Sequence, residues 1–409
     1  MPSSEFQSLL VLGIDLVALA NSASRAGYQV YAADYFGDSD LHSMGIRFKS
    51  VTRQDLGQNL VQLGPSFGPE ALLSLAKPLV QENEIDAILL SSGLDDCHSI
   101  LCELNELAPI LGNSPQTIQK VREKPEFFDE LKRLGILHPE TALASDIEEA
   151  KKMAAEIGYP VMIKPSEGFG GIGIRTARNQ QELKRRLREV QLVNGNVLIQ
   201  QRILGTHASI SLLASHSKVK VLTINEQLIG LSATYQSEPY GYCGNVVPLS
   251  HDYQISTRCE ELAEKITSHF GLAGSNGIDL VISEEGKPYV IELNPRFQGT
   301  LECVERKLGM NLVEAHIRAC VDGFLPTLLW KGTTFHTRLI LYAPQSGIVP
   351  DLTILLGVED IPLPGTVVEK NAPLCSVITN GSSRDDSLQK AQELASAIFE
   401  MLSPAKSSL

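Results

Sequence analysis

GIDLVISEEGKPYVIELNPRFQG, residues 277–299, is the stretch that decides the fold. Two apolar, strand-forming runs flank residues 284–287. If Glu285 and Gly286 form a two-residue turn, Asp279 stands directly across from Glu292. Opposed residues share a sheet face, and Asn294, two positions beyond Glu292, shares it too. Two carboxylates and an amide then converge at one end of a sheet, and Arg296 continues the same face. Opposed like charges destabilise unless something compensates. A hard divalent cation with oxygen ligands is the natural compensation, and magnesium is the usual companion of phosphates. Arg296 would hold a phosphoryl group or an oxyanion. A solvated acidic hairpin offers the same residues, but 280–282 and 289–291 are too apolar for full exposure.

Upstream lies YPVMIKPSEGFGGIGI, residues 159–174. A short strand ends at Lys164, and Gly168, Gly170, Gly171 and Gly173 follow. Glycines let backbone N–H groups approach a phosphate chain closely, and a lysine beside them supplies a point charge. Alone, such a loop reads equally well as a flexible hairpin tip.

The first third alternates strands and helices: residues 8–14, a helix to about Ala26, residues 28–34, and later residues 86–90. This predicts a parallel sheet, with ligand crevices at loops 13–15, 34–37 and 91–95. No GxGxxG follows the first strand, which disfavours a dinucleotide site. Residues 114–134 read as one charged amphipathic helix opened by Ser-Pro. Residues 180–193 read as a basic helix, 273–297 as a hairpin, and 331–409 as a few strands and a final helix.

The chain has 409 residues and a net charge of −13, with no long basic run. Nucleic acid and anionic membrane surfaces are excluded as partners, because both need a basic footprint. Seven cysteines without CxxC spacing argue against a zinc site or a disulfide framework and fit a reducing cytoplasm. No run is long and apolar enough to span a bilayer. Cys243, in SEPYGYCGNVVP (237–248), is read as incidental, and His98, His138 and His251 lack ligand spacing.

Together these segments resemble the ATP-grasp superfamily. EKPEFFDELKRLGILHP (123–139) is similar to its "DK..F...L...GI..P" segment and offers Lys124 as a first ATP-binding lysine. KPSEGFGGIGI resembles the second lysine, Lys164, with the phosphate-covering loop. VLIQQRILG (197–205) resembles the hinge strand, which would put Gln200 and Ile203 at the adenine edge. Asp279, Glu292 and Asn294 match the magnesium ligands, and Arg296 matches the arginine of "E.NPR". The chain departs at Gln201, where many relatives carry glutamate, and at His207, where many carry an acid that contacts ribose.

The resemblance implies an α/β chain with an N-terminal parallel-sheet domain (1–114), a lid region (115–204), a larger α+β metal-site domain (205–330) and a small C-terminal domain (331–409). It implies ATP with Mg²⁺ (or Mn²⁺) as cofactors and a homodimer in the cytoplasm. The reaction implied is ligation of a small-molecule carboxylate to an amine (or a thiol) through an acyl phosphate, with Arg296 and Lys164 catalytic. Biotin carboxylation is the alternative, disfavoured because FQGTLECVERKLG follows Arg296 and no arginine stands out in the C-terminal part. A non-catalytic ATP sensor is the third reading.

Overall fold

The computed structural model describes residues 6–52, 68–190, 196–215, 218–250, 252–328 and 332–404. His251, the end of the predicted helix over 180–193, and the tail from residue 405 lie outside them.

The N-terminal strands β1 (Ser8–Gly13), β2 (Gln29–Asp34), β3 (Arg47–Ser50) and β4 (Ala87–Leu90) form a parallel sheet in the order β3-β2-β1-β4. β1 is continuously apolar because both faces are covered. Leu9 and Val11 pack beside helix α1 (Val17–Arg25). Leu10 and Leu12 pack with α3 (Glu70–Glu82) and α4 (His98–Leu107). A short helix, α2 (Ser39–Ser43), leads into β3. The α1-side core continues into Leu213, Val247, Phe297 and Leu301, so one apolar layer fastens this sheet to the rest of the molecule.

The single helix expected over 114–134 is two. α5 (Pro115–Arg122) starts where Ser114 Oγ accepts the Thr117 N–H at 3.1 Å. α6 (Glu126–Arg133) starts after Pro125. Proline has no N–H to continue the ladder, its ring clashes with the preceding turn, and the residue before it is pushed out of helical geometry. The break puts Arg122 and Lys124 at a corner instead of on a solvated face.

The next unit is an antiparallel sheet, β5-β8-β6-β7, of β5 (Thr141–Ala144), β6 (Val161–Pro165), β7 (Arg175–Ala177) and β8 (Val197–Gln201), backed by α7 (Ile147–Ile157) and α8 (Gln180–Arg186). α8 ends short of the predicted residue 193. Its last turn gathers Lys184, Arg185 and Arg186, where cations suit the negative end of the helix dipole.

An eight-stranded sheet forms the largest layer, ordered β13-β12-β9-β10-β11-β14-β18-β16. Its strands are β9 (Gly205–Ser215), β10 (Lys218–Ile229), β11 (Tyr242–Val247), β12 (Ala273–Ser283), β13 (Pro288–Asn294), β14 (Phe335–Tyr342), β16 (Val358–Glu359) and β18 (Pro373–Gly381). The short β15 (Gly347–Ile348), β17 (Val367–Val368) and β19 (Ser403–Pro404) form a side ribbon. α9 (Tyr253–Phe270), α10 (Leu301–Leu308), α11 (Leu312–Val321) and α12 (Arg384–Met401) cover the sheet. Strands from the C-terminal segment thus extend the sheet that carries the hairpin. Among the described residues no helix is long and apolar enough to cross a membrane.

Candidate active site

The hairpin β12–β13 pairs Asp279 with Glu292, as the sequence reading expects, but by another route. The tip is a three-residue loop closed by Ser283 and Lys287, with Gly286 at φ 71°. That loop alone shifts the pairing by one residue relative to a two-residue turn. A bulge at Ile291, between Val290 opposite Leu280 and Glu292 opposite Asp279, restores it. A one-residue slip would send the functional side chains to the other face, so the bulge is what keeps them together.

At this end of the sheet, Asn294 Nδ2 donates to Asp279 Oδ2 at 3.0 Å, and Arg296 Nη2 donates to Asn294 Oδ1 at 3.3 Å. Arg296 Nε also donates to Asp95 Oδ2 at 2.7 Å. Lys124 Nζ donates to Glu292 Oε1 at 3.0 Å, and the Arg122 guanidinium reaches the same oxygen. Arg122 is further clamped by Asp96 at 2.7 and 3.0 Å.

The charges set the titration. Burial works to raise Glu292, but Lys124 and Arg122 outweigh it and hold the carboxyl well below the usual carboxylate range. At Asp279 burial, reinforced by Glu292, outweighs Asn294, Gln227 and Arg296 and lifts the carboxyl from 3.8 to about 6. Lys164 is brought down to about 8 by burial and then by Lys124, with Glu292 and Asp279 opposing. Two convergent carboxylates and an amide, one carboxylate strained upward by the other, suit a hard divalent cation with few protein ligands.

The glycine loop arches from Lys164 on β6 to β7. Gly168, Gly170, Gly171 and Gly173 all have positive φ (151°, 63°, 75° and 76°). At Gly171 the requirement is absolute, since a Cβ would stand 1.9 Å from the Tyr240 carbonyl oxygen. The loop is seated on residues 238–242. The Tyr242 N–H donates to Gly170 O at 2.9 Å, and the Gly173 N–H donates to Glu238 Oε2 at 3.2 Å. Arg175 pairs with Glu238, and the Thr176 and Tyr240 hydroxyls meet.

On the hinge strand β8 the Gln200 side chain is buried and donates to Thr141 Oγ1 at 2.8 Å, so it is turned toward β5. Gln201 is bound through its backbone to Glu140 O at 2.7 Å. Ile203 is partly buried between β8 and β9. His207, on β9 opposite Val281, is pushed down by burial and then by Lys164 and Arg202. His207 therefore shares the crevice with Lys164.

The sequence reading missed Arg122, Asp96 and Arg338. The first lay inside a helix read as continuous; Pro125 was the available signal. Arg338 sits in FHTRLILY, and an arginine in an apolar strand at the middle of a sheet must be buried with partners. It stands opposite Asn245 and forms a fork on Asp15 at 2.8 and 3.0 Å. It also bonds Asp360 at 2.7 Å, Ser376 at 3.1 Å and Gly299 O at 3.2 Å. The C-terminal part thus carries a buried, paired arginine although none stands out in its sequence. Burial works to raise Asp15, and Arg338 outweighs it and holds that carboxyl low. Burial raises Asp360, and lifts Asp34 from 3.8 to about 7.

Residues 121–300 match the ATP-grasp domain family. An uncharacterized protein of Methanocaldococcus jannaschii is 24% identical over 369 residues, 90% of this chain and 87% of that one. The large chain of Pyrococcus furiosus carbamoyl phosphate synthase is 30% identical over 222 residues, 53% of this chain but only 20% of that protein's length. In three dimensions the chain is similar to the biotin carboxylase domain of Hydrogenobacter thermophilus 2-oxoglutarate carboxylase. The TM-score is 0.75 at 19% identity, covering 98% of this chain and 91% of that one. That structure is a dimer in complex with MgADP, ADP and bicarbonate. At such identity the likeness is one of fold.

Proposed function

We propose, from the premise that the chain belongs to the ATP-grasp superfamily and has its fold, that it is an ATP- and Mg²⁺-dependent ligase. It would activate a small-molecule carboxylate as an acyl phosphate, join it to an amine, and release ADP and phosphate. The observation that carries this reading is the convergence of Asp279, Glu292 and Asn294 with Arg122, Lys124, Lys164 and Arg296. Asp279, Glu292 and Asn294 would hold Mg²⁺, which offsets phosphate charge when bound. Lys124 and Lys164 supply charge to the phosphates from the lid side. Arg296, held by Asp95 and Asn294, points a preorganised donor at the transferred group or the tetrahedral oxyanion. The glycine loop excludes water over the phosphates. The cysteines, all free, suit a reducing cytoplasm.

A second reading, bicarbonate activation by the same phosphorylation, is favoured by Arg338, a cation in the crevice beyond the metal-site end. Oxygen labelling separates the two. With a heavy-oxygen-labelled substrate carboxylate, one labelled atom should appear in released phosphate, with ADP as the nucleotide product. Turnover that needs bicarbonate and takes label only from it would establish the second reading. AMP as product would overturn both. The substrate screen is ATP-dependent phosphate release across amino and hydroxy acids.

A further inference from the structure

A cavity of about 430 Å³ lies between α1 and α10, closed on one side by β16. It shares no lining residue with the site described above. Its walls include Arg25, Glu302, Glu305, Arg306 and Glu359, with Met310 the single large apolar contributor.

The charges there are unevenly satisfied. Glu305 is saturated: it accepts from the Leu312 N–H at 2.6 Å, from Ser22 Oγ and from Arg25. Arg25 is anchored at that one carboxylate, lines the cavity, and keeps its side chain half exposed, at 52%. Arg306 pairs with Glu302 Oε1 and approaches Glu359 Oε1 at 3.5 Å. Glu302 Oε2 is different: the residue is only 9% exposed, and this oxygen has no donor. Its neighbour is the Glu359 carboxyl, and two adjacent buried carboxyls cannot both stay ionised. Burial, with Glu302 and then Asp360 adding to it, drives Glu359 up to about 10 against Arg338. Arg306 on α10, Asp40 on α2 and His336 on β14 complete the charged and titratable surroundings. A proton thus occupies a place that a stronger multiple donor could take.

We propose that this cavity binds a small ammonium carboxylate of the amino acid class, its ammonium between Glu302 and Glu359 and its carboxylate on Arg25. A primary ammonium brings three donors and a full charge to the place where the Glu302 and Glu359 carboxyls share one proton. The volume suits a small molecule, and the charged lining is unlike the charge-depleted centre of a protein–protein interface.

The test is calorimetry on the full chain without nucleotide, so its outcome does not depend on turnover. Each protein amino acid is titrated to about 10 mM, with acetate and ethylamine as half-ligands. At least one amino acid should bind and both half-ligands should fail. Binding should release about one proton near pH 8, read from buffers of different ionisation heat. Arg25→Ala and Glu302→Gln should each weaken it roughly tenfold or more, and Asn294→Ala should leave it unchanged. Arg25 is half exposed, so its variant keeps the test open if Glu302→Gln fails to fold. Affinity unmoved by Arg25→Ala, binding without proton release, or no amino acid bound would overturn the proposal. So would a concentration-dependent dimer in sedimentation that Arg25→Ala dissociates, because a second copy would then fill the cavity.

Discussion

One face of the eight-stranded sheet carries two polar clusters that differ in charge balance. At the β12–β13 end, Arg122, Lys124, Lys164 and Arg296 meet Asp95, Asp96, Asp279 and Glu292, four cations against four carboxylates. Toward β14, Arg338 pairs with Asp15 and Asp360, and those two carboxyls stand near Asp34. Lys124 and Arg122 keep Glu292 charged at low pH, while at Asp279 burial and Glu292 outweigh the pull of Arg296 and push the carboxyl up. In the second cluster burial, with neighbouring carboxyls adding to it, lifts Asp34 to about 7 and raises Asp360 against Arg338. Burial is common to both, so the count of neighbouring cations decides which carboxylates ionise. On the proposed function, the balanced cluster would gain anionic phosphates together with a divalent cation.

The sharpest way to break this contrast is Glu292→Gln. It removes a charged ligand from the balanced end, and turnover should fall by roughly 10²–10³-fold or more. The circular dichroism spectrum should stay that of the wild type. Turnover near the wild-type rate would sink the assignment of that end to phosphate chemistry.

At the acid-rich end, Arg338→Met leaves Asp15 and Asp360 without their cation. Breaking a buried pair from one side should cost about 3–5 kcal/mol in urea unfolding at neutral pH. The loss should shrink as pH falls, because the orphaned carboxyls then take up protons.

A smaller effect tests the titration itself. Asp34 is raised from 3.8 to about 7, so the folded state binds this proton more tightly than the unfolded one. That contribution is complete below the unfolded value and is lost as pH rises through the folded one. Wild-type stability should therefore drop by roughly 2–4 kcal/mol between about pH 4 and pH 7.5 from this group. Asp34→Asn, which keeps an acceptor for the Gly37 N–H, should flatten that slope. An identical slope in the variant would mean that the acid-rich end does not hold its proton there.

The smallest expected effect lies at the glycine loop beside the balanced end. Glu238→Gln loosens the pairing with Arg175 and should raise KM for ATP roughly 3- to 10-fold with little change in kcat. In the wild type, ATP with Mg²⁺ should protect residues 166–173 from protease. Equal protection with and without nucleotide would count against a closing lid.

Much of the balanced end was legible in the sequence, and the hairpin shows how. Alternation along a strand puts Glu292 and Asn294 on one face whatever surrounds them. The facing of Asp279 and Glu292 came out as expected although the turn differs, because the longer loop and the bulge at Ile291 offset each other. Apolar flanks identified the strands, glycines the loop, and Ser114 the helix start. Arg122 was hidden by a helix read through Pro125, and Arg338 by the lack of any local pattern tying it to Asp15, which lies far upstream in the chain.

What the sequence determined by itself is therefore local: which residues share a strand face, where a backbone needs glycine, and which segments are apolar enough to be buried. Covalent connection and the periods of strand and helix carry that information over a few residues. Only the tertiary structure decided that Lys124 meets Glu292, that Arg338 is shared between Asp15 and Asp360, and that Asp34 is raised while Glu292 is lowered. Those outcomes depend on which distant strands become neighbours and how much water remains between charges, and Coulomb interactions act through space, not along the chain.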